Sequence, residues 1–81
     1  LGLRIELPNR PSLSDLALFT RNLATMLDAG TPITEALASL REQTTSQALR
    51  DAIRAMLFDI ESGQTLTAAM RAHERIFGPL Y

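Results

Sequence analysis

Few residues of this chain have side chains that could carry out chemistry. His73 is the single imidazole and cysteine is absent, so one chain cannot assemble a His/Cys metal site or a thiolate nucleophile. All eight basic residues are arginine, and without lysine there is no Schiff-base nucleophile and no phosphate-binding P-loop lysine. We therefore expect no catalytic and no cofactor-binding residue, and we expect His73 to be solvated near the end of a helix.

Two pairs of carboxylates could in principle bind a hard cation or exchange protons. Asp59 is close to Glu61 in the sequence, and Asp28 is separated from Glu35 by a predicted turn. Neither pair has the loop spacing of a calcium motif, and acid–base catalysis requires carboxylates in a cleft. Because these acids fall on polar helix faces or at helix ends, we interpret them as solvated surface charge and expect no metal site.

The charge balance argues against nucleic acid as a partner. The chain carries eight basic and nine acidic residues, a formal net charge of −1, whereas nucleic-acid-binding modules usually have a positive excess. A DNA-binding helix-turn-helix also needs a recognition helix with several side chains that reach bases and phosphates, and the second predicted helix offers only Arg41 as a cation. We predict that the chain does not bind nucleic acid.

We predict an extended leader over residues 1–11 and a helical bundle over residues 12–81. The alternative for residues 1–7 is an edge strand that pairs with another chain. Residues 1–7 alternate between apolar and other residues, and the two prolines that follow prevent a helix from crossing this segment. Hydrophobic residues make up 46% of the 81 positions, which is enough for one core. No apolar run approaches the roughly 20 residues that span a bilayer. The missing initiator Met suggests a fragment of a longer protein.

The first helix is predicted to begin at Ser12 and to end before Gly30. Ser12 and Asp15 have the spacing of a capping box, and glycine closes a helix in the left-handed conformation without steric cost. The apolar residues of this helix, which include Leu13 and Leu27, occupy an arc about 180° wide. An arc of this width predicts contact with two neighbouring helices.

Three further helices follow with their own start and stop signals. Thr31 is predicted to cap the second helix, with Pro32 at its first position, where a missing amide hydrogen costs nothing. Residues 44–46 separate it from a third helix that ends at Gly63, and Thr65 is predicted to cap a short fourth helix. The pattern then becomes irregular around residues 78–79, although Pro79 could open a fifth helix.

An internal repeat links the two halves of the bundle. A shift of 33 residues superposes Leu23 on Met56 and Gly30 on Gly63, and the match spans both helices and the turn between them. This period is similar to that of tetratricopeptide repeats, in which each helical hairpin buries its apolar face against the next. We therefore predict an all-α fold, an antiparallel bundle of four helices built as two stacked hairpins.

Two apolar residues lie outside the predicted core. Leu18 is on the far face of the first helix and Phe58 is opposite the apolar face of the third. Single exposed apolar residues are normal on protein surfaces, but these two could also contact a partner or missing helices. We take Leu18 and Phe58, together with Arg21, as candidate partner contacts and expect self-association through the exposed flank.

Four stretches of the sequence resemble one protein family. Residues 15–33, with their Phe-Thr-Arg segment, and residues 35–37 are similar to the first cytoplasmic repeat of the F-type inner-membrane platform proteins, often called GspF or PilC. Residues 61–70 and 77–81 resemble later stretches of the same domain. Asn22 stands where the family usually has Gln, and Gly78 where it often has Pro.

The resemblance implies a function that the residues alone do not reveal. Platform proteins of type II secretion and type IV pilus assembly are multi-pass membrane proteins without enzymatic activity. Their cytoplasmic domains have six helices and face the assembly ATPase and neighbouring inner-membrane components. The resemblance therefore implies that this chain is part of the N-terminal cytoplasmic domain, at the cytoplasmic face of the bacterial inner membrane.

A second function remains open from the residues themselves. A free-standing helical-repeat adaptor that binds peptides between its hairpins has the same length, composition and periodicity. Apolar runs of about 20 residues further along the chain would distinguish a platform protein from this adaptor.

Overall fold

The computed structural model describes residues 10–78, and the regular structure in this range is entirely helical. The helices in chain order are α1 (Leu13–Asp28), α2 (Ile33–Gln43), α3 (Gln47–Glu61), α4 (Leu66–Ala72) and α5 (Glu74–Phe77). The predicted all-α class is confirmed for this range. Most of the predicted leader, over residues 1–9, and the helix that Pro79 could open lie outside it. None of the helices in the described range combines the length and hydropathy needed to cross a membrane.

Side-chain caps fix the beginnings of three helices. The Ser12 hydroxyl accepts a hydrogen bond from the Asp15 amide at 3.0 Å, and the Asp15 carboxylate accepts one from the Ser12 amide at 3.1 Å, which completes the predicted capping box. The hydroxyls of Ser46 and Thr65 accept the amides three residues further along. Each cap satisfies an amide that has no acceptor within the first helical turn.

The predicted cap of the second helix at Thr31 is wrong. Pro32 is the residue that precedes α2, and no side-chain hydrogen bond caps this helix. The Thr31 amide instead donates to the Met26 carbonyl at 3.0 Å, while the Gly30 amide donates to the Leu27 carbonyl at the same distance. These two bonds form the Schellman motif that ends α1. Thr31 therefore belongs to the end of one helix and lies one position too early to cap the next.

The core is continuous, and α3 lies at its centre. This helix packs against α2, α4 and α5, while α1 packs against α2. The predicted burial of Leu23 and Met56 is confirmed, with exposed fractions of 6% and 0%. Every helix contributes to the set of buried side chains: Leu16, Phe19, Leu23, Ala36, Leu37, Leu40, Leu49, Ala52, Ile53, Met56, Leu57, Ala69 and Phe77.

The buried stripe of α1 is narrower than the sequence predicts. Only Leu16, Phe19 and Leu23 are buried on this helix. Leu13 is 63% exposed and Leu27 is 37% exposed, so their placement on the inward arc is wrong. Leu13 is the first residue of α1, which with 16 residues extends beyond the 11 residues of α2 at that end. Leu27 lies in the last turn of α1, beside the connection to α2.

The short helix α5 was not predicted from the sequence, which indicated only the four helices that precede it. Its last residue, Phe77, is 1% exposed, and its ring centroid lies 5.6 Å from that of Phe19. This contact brings α1 against a second neighbour. The Gly78 amide donates to the Glu74 carbonyl at 2.7 Å and closes the turn. A four-residue helix with one buried side chain is too short to produce a detectable apolar period.

Candidate interaction surface

The residues whose side chains could carry out chemistry lie at the ends of different helices. Asp28 is the last residue of α1, Glu35 lies in the first turn of α2, and Asp59 and Glu61 lie in the last turn of α3. His73 is half-buried, not fully solvated, and its backbone joins α4 to α5. Within residues 10–78, no three His, Asp or Glu side chains are grouped closely enough to hold a metal ion.

Leu18 lies at a cleft bounded by α1, the end of α2 and the beginning of α3. Its side chain is 56% exposed, although the next residue, Phe19, belongs to the core. We call this site the Leu18 cleft; its volume is about 160 Å³ and its lining combines apolar and polar side chains: Asp15, Leu18, Phe19, Asn22, Leu40, Gln43, Thr44, Thr45 and Leu49. Exposed apolar groups beside polar donors and acceptors are typical of a protein contact.

Arg21 lies next to Leu18, as the helical spacing of three residues requires. The two residues line the same shallow depression on α1, together with Asp15. Arg21 is exposed, and its guanidinium forms no ion pair within residues 10–78. The structure therefore brings two of the three predicted contact residues onto one surface.

Phe58 lies on a different surface. Its side chain is 70% exposed and borders a groove between α2 and α3 that has no residue in common with the Leu18 cleft. We call it the Phe58 groove, and its lining residues are Thr34, Glu35, Ala38, Arg41, Arg54, Leu57, Phe58 and Glu61. The single exposed flank that the sequence suggested is therefore two surfaces.

The polar residues of the Leu18 cleft, among them Asn22 and Gln43, were not predicted as contact residues from the sequence. Asn22 follows Leu18 by four positions on α1, so the helical period alone could have placed both on one face. Gln43 comes from the last turn of α2, and its side-chain amide donates to the Ser39 hydroxyl at 3.3 Å. No pattern within α1 could have indicated Gln43, because only the packing of α1 against α2 brings it to the cleft.

A hydrogen-bond network fixes the loop that borders the Leu18 cleft. The Arg50 guanidinium donates to the Thr44 carbonyl and to the Gln47 side-chain oxygen, both at 3.1 Å. The Gln47 side-chain amide in turn donates to the Asp51 carboxylate at 2.8 Å. Arg50 is half-buried, and its hydrogen bond to the Thr44 carbonyl ties the loop that borders the cleft to α3.

Comparison with known proteins relates the chain to secretion and pilus proteins. The family model described as type II secretion system (T2SS), protein F, matches residues 19–81. The chain is 42% identical over 71 residues to the type IV pilus assembly protein PilC of Thermus thermophilus, a match that covers 88% of this chain and 17% of that protein. It is 36% identical over 80 residues to the type II secretion system protein F of Pseudomonas aeruginosa, covering 99% of this chain and 20% of that protein.

A third relative is the type IV pilus assembly protein PilC of Myxococcus xanthus, 34% identical over 67 residues that cover 83% of this chain and 16% of that protein. No solved structure matches the chain. The chain thus spans no more than a fifth of the length of these relatives. The matched range begins at Phe19, one position after Leu18, and it includes Arg21. It also includes the residues that α3 contributes to the Leu18 cleft and to the Phe58 groove. This chain belongs to the type II secretion system protein F family.

Proposed function

We propose that this chain is a non-enzymatic scaffold domain at the cytoplasmic face of the bacterial inner membrane, within a multi-pass platform protein for type II secretion or type IV pilus assembly. Its partners are the assembly ATPase and neighbouring inner-membrane components. The domain couples to the ATPase through protein contacts. Family membership supports this role and disfavours the free-standing peptide-binding adaptor.

We also propose how the helices pair within the domain. The pairs α1–α2 and α3–α4 are two stacked helical hairpins within a six-helix domain, of which residues 12–81 are a part. Two connections support the pairing, because residues 29–32 and 62–65 are too short to join helices that do not lie side by side. Packing between α1 and α2, and between α3 and α4, is consistent with it.

The observation that carries the proposed contact role is the exposure of Leu18 beside Arg21. Burying a fully exposed leucine side chain is worth about 1.5–3 kcal/mol, and because Leu18 is 56% exposed, a partner that covers it gains about half of that amount. A guanidinium without an ion-pair partner in the described residues can bind a carboxylate of that partner through two parallel hydrogen bonds. We therefore assign the ATPase contact to the Leu18 cleft and expect an acidic residue on the partner.

The experiment uses the full-length protein that contains this chain, in its own bacterium. Leu18→Ser combined with Arg21→Glu is expected to abolish secretion or pilus assembly while the protein level in the membrane is unchanged. Leu13→Ser is the matched control, because Leu13 is similarly exposed on the same helix, 63% against 56% for Leu18, but does not line the cleft. Normal secretion or pilus assembly in the double variant would contradict the proposal.

A further inference from the structure

The Leu18 cleft has room for one large side chain. Three of its lining residues, Phe19, Leu40 and Leu49, belong to the core and form an apolar floor, and none of them is more than 4% exposed. The volume of the cleft is about 160 Å³. Pockets that hold cofactors or other small molecules have volumes of roughly 300–1,000 Å³. The size and the floor of the cleft therefore favour one apolar side chain of a partner over a small-molecule ligand.

Asn22 contributes a polar group that has no partner within residues 10–78. It is half-buried at the cleft, and its side-chain amide forms no hydrogen bond in this range. A partly desolvated amide forms stronger hydrogen bonds than a fully hydrated one. The amide of asparagine offers an acceptor and a donor side by side. The main chain of an extended peptide presents the complementary donor and acceptor, so Asn22 matches a peptide backbone.

Gln43 adds a second acceptor from the α2 side of the cleft. Its side-chain nitrogen donates to the Ser39 hydroxyl at 3.3 Å, whereas its side-chain oxygen accepts no hydrogen bond within residues 10–78. This oxygen can accept another main-chain amide of the occupant. The backbone groups in the interior of a helix are already bonded to each other. Asn22 and Gln43 therefore favour an extended occupant over a helical one.

Arg21 places a positive charge beside the cleft. It is exposed, forms no ion pair within residues 10–78 and lies in the same shallow depression as Leu18. Residues three apart on a helix have Cβ atoms about 5–6 Å apart. Side chains on one face of an extended peptide are two residues apart, which is about 6.6 Å along the chain. An extended peptide with one side chain beside Leu18 therefore brings the side chain two positions away close to Arg21.

We propose that the Leu18 cleft binds an extended segment of a partner protein that carries a large apolar residue and a carboxylate two positions apart. The apolar side chain fills the cleft, and the carboxylate accepts two parallel hydrogen bonds from Arg21. Asn22 pairs with the main chain of the apolar residue and so determines that the segment is extended. This inference rests on the contact role proposed for the cleft and adds the kind of sequence that the cleft recognises.

The leader of this chain does not have the required pattern. Residues 1–9 contain one carboxylate, that of Glu6. The residues two positions away from it are Arg4 and Pro8, and neither has a large apolar side chain. We therefore assign the cleft to a segment of another protein.

The first test selects peptides on the 81-residue chain. A phage-displayed library of random short peptides would be panned against the immobilised chain. We expect enrichment of a large apolar residue two positions from Asp or Glu. The same selection on the Leu18→Ser chain should lose this pattern, whereas the Leu13→Ser chain is the control and should retain it. A selection that enriches no such pattern, or enriches it equally on the Leu18→Ser chain, would overturn the proposal.

The backbone contact of Asn22 is tested with one enriched peptide, synthesised with and without a methyl group on the amide nitrogen of its apolar residue. Methylation removes the hydrogen that Asn22 accepts, so it should weaken binding to the wild-type chain about fivefold. The Asn22→Leu chain keeps a side chain of similar size without polar atoms and should bind both peptides equally. Circular dichroism would verify that this variant remains folded. An equal loss on both chains would contradict the contact, as would a peptide that becomes helical on binding.

A charge exchange tests the pairing with Arg21 and separates this inference from the ATPase assignment. Arg21→Glu should weaken binding of the enriched peptide at least about tenfold, and a peptide with Arg in place of its acidic residue should restore it. A charge-exchanged peptide that restores nothing would contradict the pairing. If peptides with the pattern bind the cleft but the ATPase does not, the ATPase assignment is wrong and this inference holds. If the ATPase binds the cleft but the peptides do not, this inference is wrong and the assignment holds.

Discussion

Gly30 and Gly63 end α1 and α3 with the same turn, at positions 33 residues apart. Their φ angles are 90° and 111°, which confirms the left-handed conformation predicted for both. The Gly30 amide donates to the Leu27 carbonyl and the Gly63 amide to the Ile60 carbonyl, each at 3.0 Å. The internal repeat of the sequence is thus a repeat of hydrogen-bonded geometry at the two helix ends.

Alanine at either glycine is expected to destabilise the chain by about 1 kcal/mol. A Cβ at these positions would meet nothing within 4 Å, so the cost comes from the positive φ angle and not from a clash. Gly30→Asn and Gly63→Asn are the matched controls, because asparagine adopts this conformation more readily. Urea unfolding would measure the differences, and an alanine variant as stable as its asparagine counterpart would contradict the explanation.

Leu23→Ala and Met56→Ala are each expected to destabilise the chain by about 2–5 kcal/mol, since each leaves a cavity in the core. Both side chains are almost fully buried, at positions that the 33-residue repeat relates. Leu13→Ala removes the same atoms as Leu23→Ala from a 63% exposed position and should cost no more than about 0.5 kcal/mol. Thermal unfolding distinguishes them; equal melting temperatures for Leu13→Ala and Leu23→Ala would rule out this core.

Ser46→Ala is expected to cost about 1 kcal/mol, because its hydroxyl accepts a hydrogen bond from the Leu49 amide at 3.1 Å. Thr31→Ala serves as the comparison. Thr31 contributes to the end of α1 through its backbone amide, which alanine retains, so this substitution should cost clearly less than Ser46→Ala. If Thr31→Ala proved the more costly of the two in chemical denaturation, a capping role for the Thr31 side chain would be restored.

Phe77→Ala is expected to cost about 3–5 kcal/mol, because it removes a fully buried ring that packs against Phe19. Phe77→Leu keeps most of the apolar volume but loses the ring pair, which is worth about 0.5–1.5 kcal/mol beyond burial. The leucine variant should therefore unfold between the alanine variant and the wild type. A wild-type unfolding free energy for Phe77→Ala would show that α5 does not contribute to the core.

The helices and most of their ends could be predicted from the sequence, because these features depend on local signals. Ser12, Thr65 and the two glycines act through neighbours within a few residues, so their types and spacing were sufficient. Phe77 could not be placed in the core in this way. Its burial depends on Phe19, which lies on the first helix at the other end of the chain.

The candidate surfaces were predictable only in part, for the same physical reason. Helical periodicity identified Leu18 and Phe58 as exposed, and both are exposed in the structure. It could not show that they lie on two separate surfaces, since that depends on how α1, α2 and α3 pack. Gln43 reaches the Leu18 cleft and Arg41 reaches the Phe58 groove only through the packing of α2.

One binding experiment decides whether the Leu18 cleft is the ATPase contact. The isotopically labelled 81-residue chain would be titrated with the purified assembly ATPase of the same organism and followed by nuclear magnetic resonance. We predict that the amide signals of Leu18, Arg21 and Asn22 shift or broaden first, and that Leu18→Ser weakens binding at least about tenfold while Leu13→Ser does not. Binding that leaves these three signals unchanged, or no binding at all, would contradict the assignment.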